Sequence, residues 1–212
     1  MPTRILLVRH GQSEWNAAGR WQGQADPPLT DLGREQARSA ARSLGTVDAI
    51  VASDLQRASE TAMIISGDLG VGPVVLDPDL RERDAGEWSG LTRAEIEVGW
   101  PGYLDAPADE HAGFGPSVEP RRPPSWEADA SVLERATRAL RRIDAELGGG
   151  EVLGVTHGGL VYVLEGHLGA PFARMANGEG RWFEVDGEHL RIGDRMLLVG
   201  DGGPPATVPD QI

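Results

Sequence analysis

Cysteine and lysine are both absent from this chain, and acidic residues outnumber arginines so far that the formal net charge is −13. The absence of cysteine excludes disulfides, thiolate metal sites and a thiol nucleophile. The acidic balance disfavours nucleic acid and anionic membranes as partners, because those surfaces select for basic patches. We therefore expect no nucleic-acid and no membrane partner, and an anionic substrate would need a local pocket of arginine side chains.

Long hydrophobic runs and interdomain linkers are missing as well. The longest apolar runs are far too short to span a bilayer, and the segment before Arg9 lacks the length of a signal peptide. We therefore expect a cytoplasmic location. No Pro/Gly-rich linker divides the 212 residues into two hydrophobic halves, so we predict a single domain over residues 1–212.

The first strong pattern is a run of four aliphatic residues, 5–8, followed at once by Arg9, His10 and Gly11. Such a run predicts a strand buried on both faces, within a parallel sheet covered by helices. Open α/β sheets bind their ligands at the carboxyl ends of such strands. A phosphoryl group suits this position, since Arg9 could bind two of its oxygens and neutral His10 could attack phosphorus.

A polar and aromatic segment, residues 14–23, follows this strand without a clear period. It could supply hydrogen bonds to phosphate or substrate, and Asn16 is the strongest candidate, with Gln22 and Gly23 beside it. The alternative is a surface loop whose tryptophans simply pack. A helix over about 30–44 is predicted next.

A second buried strand is predicted over residues 47–52, and a helix begins directly after it. A helix N-terminus behind a strand can bind an anion through its free backbone N–H groups. Arg57 lies in the first turn of this helix, where a cation is slightly unfavourable for helix stability, which indicates another purpose. The alternative is an exposed arginine paired with Asp54 or Glu60.

A short third strand, residues 74–76, leads into a charged loop over residues 77–90. Beyond Pro78 this loop contains four carboxylates and two arginines, most of which we expect to be solvated. One carboxyl held near a phosphoester could protonate the departing oxygen. Residues 92–95 show a capping-box pattern that predicts a short helix to about Gly99.

Residues 100–124 are the least regular part of the chain, with six prolines and several glycines. A compact domain rarely keeps so long a structureless loop without a use, so we predict a lid or substrate-selecting loop. A flexible insertion is the alternative. Apolar residues from 132 to 147 then recur at helical spacing and predict an amphipathic helix.

The strand predicted over residues 151–155 ends in Thr-His-Gly-Gly at 156–159, much as the first strand ends in Arg-His-Gly. Two strand ends that each bring a histidine to one edge of a sheet favour a shared site. A metal site is the alternative for paired histidines, but no carboxylate-rich ligand spacing accompanies them. A helix over about 160–168, a hairpin over 181–199 and a frayed tail complete the prediction.

These motifs, in this order and spacing, resemble the histidine phosphatase superfamily, also called the phosphoglycerate mutase-like family. The matching stretches are Leu7-Val8-Arg9-His10-Gly11, residues 53–58 with Thr61-Ala62, Leu80-Arg81-Glu82 with residues 86–90, and Thr156-His157-Gly158-Gly159. The resemblance extends to about residue 170. It implies an α/β fold, a three-layer sandwich whose mostly parallel central sheet has helices on both faces. One departure is Pro-Pro-Ser-Trp-Glu at 123–127, where many phosphatases of the family carry a Gly-Gly-Glu-Ser-like stretch.

The resemblance also implies a role for each candidate residue. His10 would be phosphorylated during turnover, and Glu82 would be the general acid and base. The residues expected around the phosphoryl group and substrate are Arg9, Asn16, Gln22, Gly23, Arg57, His157 and Gly158. The family needs no metal or organic cofactor for hydrolysis, so we expect neither here.

The predicted function is hydrolysis of a small phosphate ester, such as a sugar phosphate or a phosphoglycerate-type metabolite, through a phosphohistidine intermediate. One alternative is a mutase, which must shield its phosphohistidine long enough for the substrate to reorient. Another is a phospholigand-binding module without turnover. The expected partner is a small phosphorylated substrate, and a homodimer is compatible with the sequence.

Overall fold

The fold is built on one six-stranded sheet with helices on both of its faces. The computed structural model describes residues 1–104, 121–200 and 202–209. The strands are Thr3–Arg9 (β1), Ala49–Ala52 (β2), Val75–Leu76 (β3), Gly150–Thr156 (β4), Glu179–Asp186 (β5) and His189–Leu197 (β6). The α-helices are Glu14–Ala17 (α1), Asp31–Ser43 (α2), Gln56–Leu69 (α3), Arg93–Gly99 (α4), Asp129–Leu147 (α5) and Gly158–His167 (α6), with 3₁₀ helices at Pro78–Leu80 and Gly86–Trp88. Within these ranges, no helix combines the length and the apolar character needed to cross a membrane.

The strand order is β3-β2-β4-β1-β5-β6. The first four strands are parallel, whereas β5 and β6 run antiparallel to their neighbours. This arrangement confirms the predicted α/β sandwich with a mostly parallel sheet. In the register between β1 and β4, Arg9 lies opposite Thr156, so the residues that follow these two strands emerge side by side at one edge.

The two faces of β1 contact different layers of helices, because successive side chains on a strand point to opposite faces. Ile5 and Leu7 lie in a hydrophobic cluster with residues of α5 and α6. Leu6 and Val8 lie in a second cluster with residues of α2 and α3. The run of aliphatic residues is therefore buried on both sides, as its composition predicts.

The helix boundaries follow local capping patterns. Thr30 caps α2 by accepting a hydrogen bond from the Gly33 N–H, and Thr92 forms the predicted capping box with Glu95 at the start of α4. Helix α5 ends at Leu147 and is capped by Gly148, which adopts a left-handed conformation with φ of 65°. These elements agree with the sequence-based prediction to within a few residues.

Two predictions about irregular segments were wrong in part. Residues 14–17 form a one-turn helix, because Ser13 and Asn16 build a reciprocal capping box around its start. The tail was expected to be frayed, but Pro205 and Thr207 form hydrogen bonds to buried amides of the protein body.

The predicted lid over residues 100–124 falls largely on residues 105–120, which lie outside the described residues. Its described ends pack around a cluster of tryptophans, Trp21, Trp88, Trp100 and Trp126, in which neighbouring rings meet edge to face. A lid function for this segment stays a prediction.

Candidate active site

The carboxyl ends of β1 and β4 bring two histidines together. The ring centroids of His10 and His157 are 5.1 Å apart, with an interplanar angle of 62°. Arg9 and Arg57 lie beside them, and all four side chains are at most 4% exposed. The predicted convergence of two imidazoles and two guanidinium groups is therefore present in the structure.

The tautomer of His10 follows from its hydrogen bonds. Its Nδ1 lies 2.6 Å from the carbonyl oxygen of Gly11, and since a carbonyl only accepts, Nδ1 carries the proton. The Nε2 atom accepts a hydrogen bond of 3.2 Å from Nε of Arg57. The lone pair of His10 is therefore on Nε2. Gly11 cannot be replaced without a movement of the backbone, because a Cβ would collide with the carbonyl group of Gly33.

Arg57 is fully buried at the start of α3, and its guanidinium is held by backbone carbonyls. Nη1 donates to the oxygen of Ala25 at 2.7 Å, and Nη2 donates to the oxygen of Gly23 at 2.9 Å. These bonds aim its remaining nitrogen at His10.

The alternative interpretation of Arg57 as a surface ion-pair residue is wrong. Asp54 forms a bidentate pair with Arg81, at 2.7 and 2.6 Å, and Glu60 accepts from Arg34 at 2.7 Å. Both carboxylates that could have paired with Arg57 at the surface are thus bonded to other arginines.

Arg9 and His157 each retain a polar atom that no described residue satisfies. Nη1 of Arg9 donates to the carbonyl oxygen of Met175 at 2.8 Å, whereas its Nε has no hydrogen-bond partner among the described residues. Nε2 of His157 lies 2.9 Å from Oγ of Ser53, and its Nδ1 is buried without a described partner. Oγ of Ser53 accepts from the Leu55 N–H and can donate its own hydrogen to Nε2; in that tautomer the proton of His157 is on Nδ1.

The electrostatics of the site keep both histidines neutral. Burial lowers the pKa of His10 well below its ordinary value, and the charges of Arg57 and Arg9 lower it further. Burial and the charge of Arg57 lower the pKa of His157 in the same way. Burial also lowers the pKa of Arg57, to about 10, so this guanidinium remains charged at neutral pH.

The low pKa values of the two histidines predict how stability responds to acid. Below about pH 6.5, the unfolded chain binds protons at these two positions while the folded chain does not. The free energy of unfolding should therefore fall as the pH drops, by up to about 1.4 kcal/mol per pH unit for each histidine. Urea unfolding between about pH 7.5 and about pH 5.5 measures this slope.

The control for this prediction is a pair of matched variants. His157→Gln should reduce the slope, because one buried imidazole is gone. His189→Gln should leave the slope unchanged, because it alters an exposed residue at the start of β6. A slope that does not change in His157→Gln would contradict a buried, neutral His157.

Glu82 lies half-buried in the wall of the same cavity as Arg9. Its Oε1 accepts from the backbone N–H of Arg83 at 2.7 Å, and its Oε2 accepts from that of Gly159 at 3.1 Å. A Cβ on Gly159 would collide with this carboxylate, so glycine is required for the approach. Burial lowers the pKa of Arg9 and of Arg57, and the charge of Glu82 partly offsets this in both, so the carboxylate lies within electrostatic reach of the two cations.

The loop that carries Glu82 is held from behind by Arg135 on α5. Its guanidinium donates to the backbone oxygens of Asp79, Arg81 and Glu82, at 2.9, 2.5 and 3.1 Å. The carboxylate of Glu127 pairs with the same guanidinium, at 2.8 and 2.9 Å. The position of Glu82 is thus fixed by a buried cation distant in sequence.

The remaining predicted binding residues lie around this centre. Asn16 and Gln22 line the cavity, and Gln22 Oε1 also accepts from the Ser13 hydroxyl at 2.7 Å. Gly23 lines the cavity too and supplies the carbonyl that binds Arg57. At Gly158, a Cβ would lie 3.2 Å from Nη1 of Arg9, so the small residue leaves room for the guanidinium.

The cavity next to these groups has a volume of about 610 Å³. Beyond the end lined by Arg9, its wall includes three further arginines and several aromatic side chains. These residues are Arg20, Arg83, Arg122, Trp21, Trp126, Tyr162 and Phe172. In the described part of the chain, no group of three or more His, Asp or Glu side chains is placed to hold a metal ion.

Sequence analysis missed several residues of the site. Ser53 directly follows β2, so the strand-end pattern that identified His10 and His157 could have found it. No such pattern marks Arg83, Arg122 and Trp126, because they belong to irregular segments that only the tertiary structure brings to the cavity.

Comparisons with known proteins identify the family of this chain. The model of the histidine phosphatase superfamily (branch 1) matches residues 5–191. Glucosyl-3-phosphoglycerate phosphatase of Mycolicibacterium vanbaalenii is 36% identical over 205 residues, which cover 90% of this chain and 87% of that protein. The metal-independent phosphoserine phosphatase of Arabidopsis thaliana is 36% identical over 165 residues, covering 76% of this chain and 67% of that protein.

A solved structure shows the same likeness in three dimensions. The mycobacterial glucosyl-3-phosphoglycerate phosphatase in complex with VO3 matches with a TM-score of 0.74 and 31% identity, over 90% of this chain and 97% of that one. The chain therefore belongs to the histidine phosphatase superfamily, and it is a phosphomonoesterase that hydrolyses small phosphate esters.

Proposed function

We propose that His10 is the nucleophile of this phosphatase and that it attacks through Nε2. Because Nδ1 donates its proton to the Gly11 carbonyl, the lone pair of the imidazole is on Nε2. Attack forms a bond between Nε2 and phosphorus and breaks the bond between phosphorus and the ester oxygen. The observation that carries this proposal is the buried cluster of two imidazoles and two guanidinium groups at one sheet edge.

Arg9, Arg57 and His157 are assigned to the phosphoryl oxygens. Arg9 Nε and His157 Nδ1 are buried polar atoms that lack a hydrogen-bond partner in the described ranges, so they are available as donors. Preorganised donors that meet charge on the equatorial oxygens are the main contribution to catalysis of phosphoryl transfer. Asn16 lies at the edge of this group and is assigned a supporting hydrogen bond.

Glu82 is assigned to proton transfer. In the first step its protonated carboxyl gives a proton to the departing alkoxide, and in the second its carboxylate takes a proton from the attacking water. Cleavage of the phosphoramidate by that water returns free His10 and inorganic phosphate. The backbone N–H groups of Arg83 and Gly159 hold the carboxyl at the cavity wall for both steps.

We infer that the substrate carries a second anionic group, such as a carboxylate, and a polar moiety about the size of a sugar. Arg122 supports this assignment: its guanidinium lies 4.7 Å from the ring centroid of Trp126, and it forms no ion pair with any described residue. Arg83 lies 5.2 Å from the same ring centroid. A cavity of this volume can hold a ligand larger than a phosphoamino acid.

The names of the relatives point in the same direction. Glucosyl-3-phosphoglycerate and phosphoserine, the esters in those names, both carry a carboxylate besides the phosphoryl group. Glucosyl-3-phosphoglycerate also carries a sugar. It is therefore the first ester to test with this enzyme.

An arginine exchange tests the second anionic subsite. We expect Arg122→Gln to raise KM for glucosyl-3-phosphoglycerate about ten-fold, the effect of losing one charge-assisted hydrogen bond. Nitrophenyl phosphate lacks the carboxylate, so its KM should be unchanged. Steady-state hydrolysis of both esters, together with phosphoserine and glucose phosphate, measures the difference.

Arg121→Gln is the matched control, because Arg121 is the exposed neighbour and lies outside the cavity lining. It should leave KM unchanged for every ester of the panel. Equal changes of KM for glucosyl-3-phosphoglycerate and nitrophenyl phosphate in Arg122→Gln would contradict a subsite for a second anion.

A cytoplasmic location and a homodimer remain proposals. Val75 and Leu76, on the edge strand β3, are 51% and 46% exposed, and such an apolar edge supports pairing with a second copy. Light scattering of the purified protein tests the dimer, and fractionation of the producing cells tests the location.

A further inference from the structure

A buried polar network connects residues 205–207 to the loop that carries His10. Its central members are the side-chain amides of Gln36 and Asn177, both with 0% exposure. The mechanism proposed above uses neither of them. Each amide bonds to a different peptide group of the nucleophile loop.

Asn177 holds the peptide group between His10 and Gly11. Its Nδ2 donates to the carbonyl oxygen of His10 at 2.9 Å. The N–H of the same peptide group, on Gly11, donates to Oγ1 of Thr61 at 3.1 Å. This peptide plane is therefore bonded at both of its ends.

Gln36 holds the next peptide group, between Gly11 and Gln12. Its Oε1 accepts from the N–H of Gln12 at 2.8 Å. The carbonyl of the same peptide group is the oxygen of Gly11, which accepts the Nδ1 proton of His10 at 2.6 Å. A tilt of this plane would weaken the bond that sets the tautomer of His10.

The hydroxyl of Thr207 joins the two amides: it orients Asn177, and together with the carbonyl oxygen of Pro205, 2.9 Å from Nε2 of Gln36, it orients Gln36. It donates to Oδ1 of Asn177 at 2.8 Å and accepts from Nε2 of Gln36 at 3.2 Å. With its oxygen bound to Thr207, Asn177 presents its amino group to the nucleophile loop. With its amino group bound to Thr207 and to the carbonyl of Pro205, Gln36 presents its oxygen to the same loop.

We propose that Thr207 is a positioning residue for the nucleophile. Through Asn177 and Gln36, its hydroxyl keeps His10 in the tautomer whose free electron pair is on Nε2. The inference rests on the proposed role of His10. Thr207 lies beyond residues 5–191, the part of the chain that the family model matches.

Thr207→Val tests the proposal, because valine keeps the shape of threonine and removes the hydroxyl. We expect kcat to fall roughly ten-fold for aryl and alkyl phosphates alike, with KM little changed, since the nucleophile rather than the leaving group is affected. Imidazole nitrogen NMR of His10 should show a mixture of tautomers. Thr207→Ser keeps the hydroxyl and should restore both kcat and the spectrum.

Thr3→Val is the matched control for loss of a threonine hydroxyl bond. Thr3 Oγ1 donates to Asp144 at 2.6 Å, at the opposite end of β1 from His10. This variant should lose stability while keeping kcat and the His10 spectrum. If Thr207→Val does not fold, Thr207→Ala removes the same hydroxyl and serves the same comparison.

Three results would overturn the proposal: a wild-type kcat in the variants without the hydroxyl, a loss of kcat with an unchanged His10 spectrum, or an equal loss in Thr207→Ser. The role of His10 is measured separately with His10→Ala. An active His10→Ala enzyme would refute the nucleophile assignment itself, and not only the positioning role of Thr207.

Discussion

Replacing His10 with alanine is expected to lower hydrolysis of nitrophenyl phosphate by a factor on the order of 10⁴ or more, because the attacking atom is removed. A good leaving group such as nitrophenol cannot compensate for this loss. The wild-type enzyme, quenched in base during turnover with radiolabelled substrate, should retain label in an acid-labile, base-stable form, as a phosphoramidate does. His10→Ala should retain none.

The matched control is His189→Ala, since His189 is an exposed histidine at the start of β6, away from the site. It should keep both activity and labelling. Circular dichroism and a thermal melt check the fold of His10→Ala, because His10 is buried and its removal leaves a cavity. Appreciable activity in a folded His10→Ala enzyme would rule out His10 as the nucleophile.

The second large effect is expected for Glu82→Gln, and its size should depend on the leaving group. Alkyl phosphates should lose activity by roughly 10²- to 10⁴-fold, the usual contribution of a general acid. Aryl phosphates should lose far less, because a phenolate leaves without protonation. Hydrolysis rates across a series of esters with rising leaving-group pKa measure this dependence.

Glu87→Gln provides the matched control for this series. Glu87 belongs to the same charged loop, but it is exposed and accepts hydrogen bonds from Ser125. We expect this variant to hydrolyse alkyl and aryl esters at wild-type rates. Equal losses for alkyl and aryl esters in Glu82→Gln would mean that the side chain supports the loop and transfers no proton.

Local sequence patterns predicted much of the fold and the centre of the site. The aliphatic run at 5–8 is buried on both faces, so its composition alone indicated an interior strand. His10 and His157 each follow such a strand directly, and parallel neighbours bring their ends together. Arg57 lies in the first turn of a helix, where a cation slightly lowers helix stability, and this position indicated another role. The structure shows that Arg57 contacts His10.

Irregular segments were harder to predict, because they have no hydrophobic period from which burial and side-chain direction can be inferred. The tail looked frayed for this reason, although Pro205 and Thr207 bind buried amides. Ser13 and Asn16 are only three residues apart, yet their reciprocal cap was missed within a loop rich in aromatic residues. Such bonds depend on where the backbone turns, which composition does not specify.

By itself, the sequence determined which side chains stand at the carboxyl ends of the buried strands, and the resemblance of its motifs to the histidine phosphatase superfamily indicated a phosphoryl ligand. Only the tertiary structure decided how those side chains are aimed. Gln36 and Thr207 are 171 residues apart, and Arg135 lies 53 residues from the carbonyl of Glu82 that it binds. Hydrophobic periodicity reports on burial within one element, whereas these bonds depend on the relative placement of several elements, which no local pattern encodes.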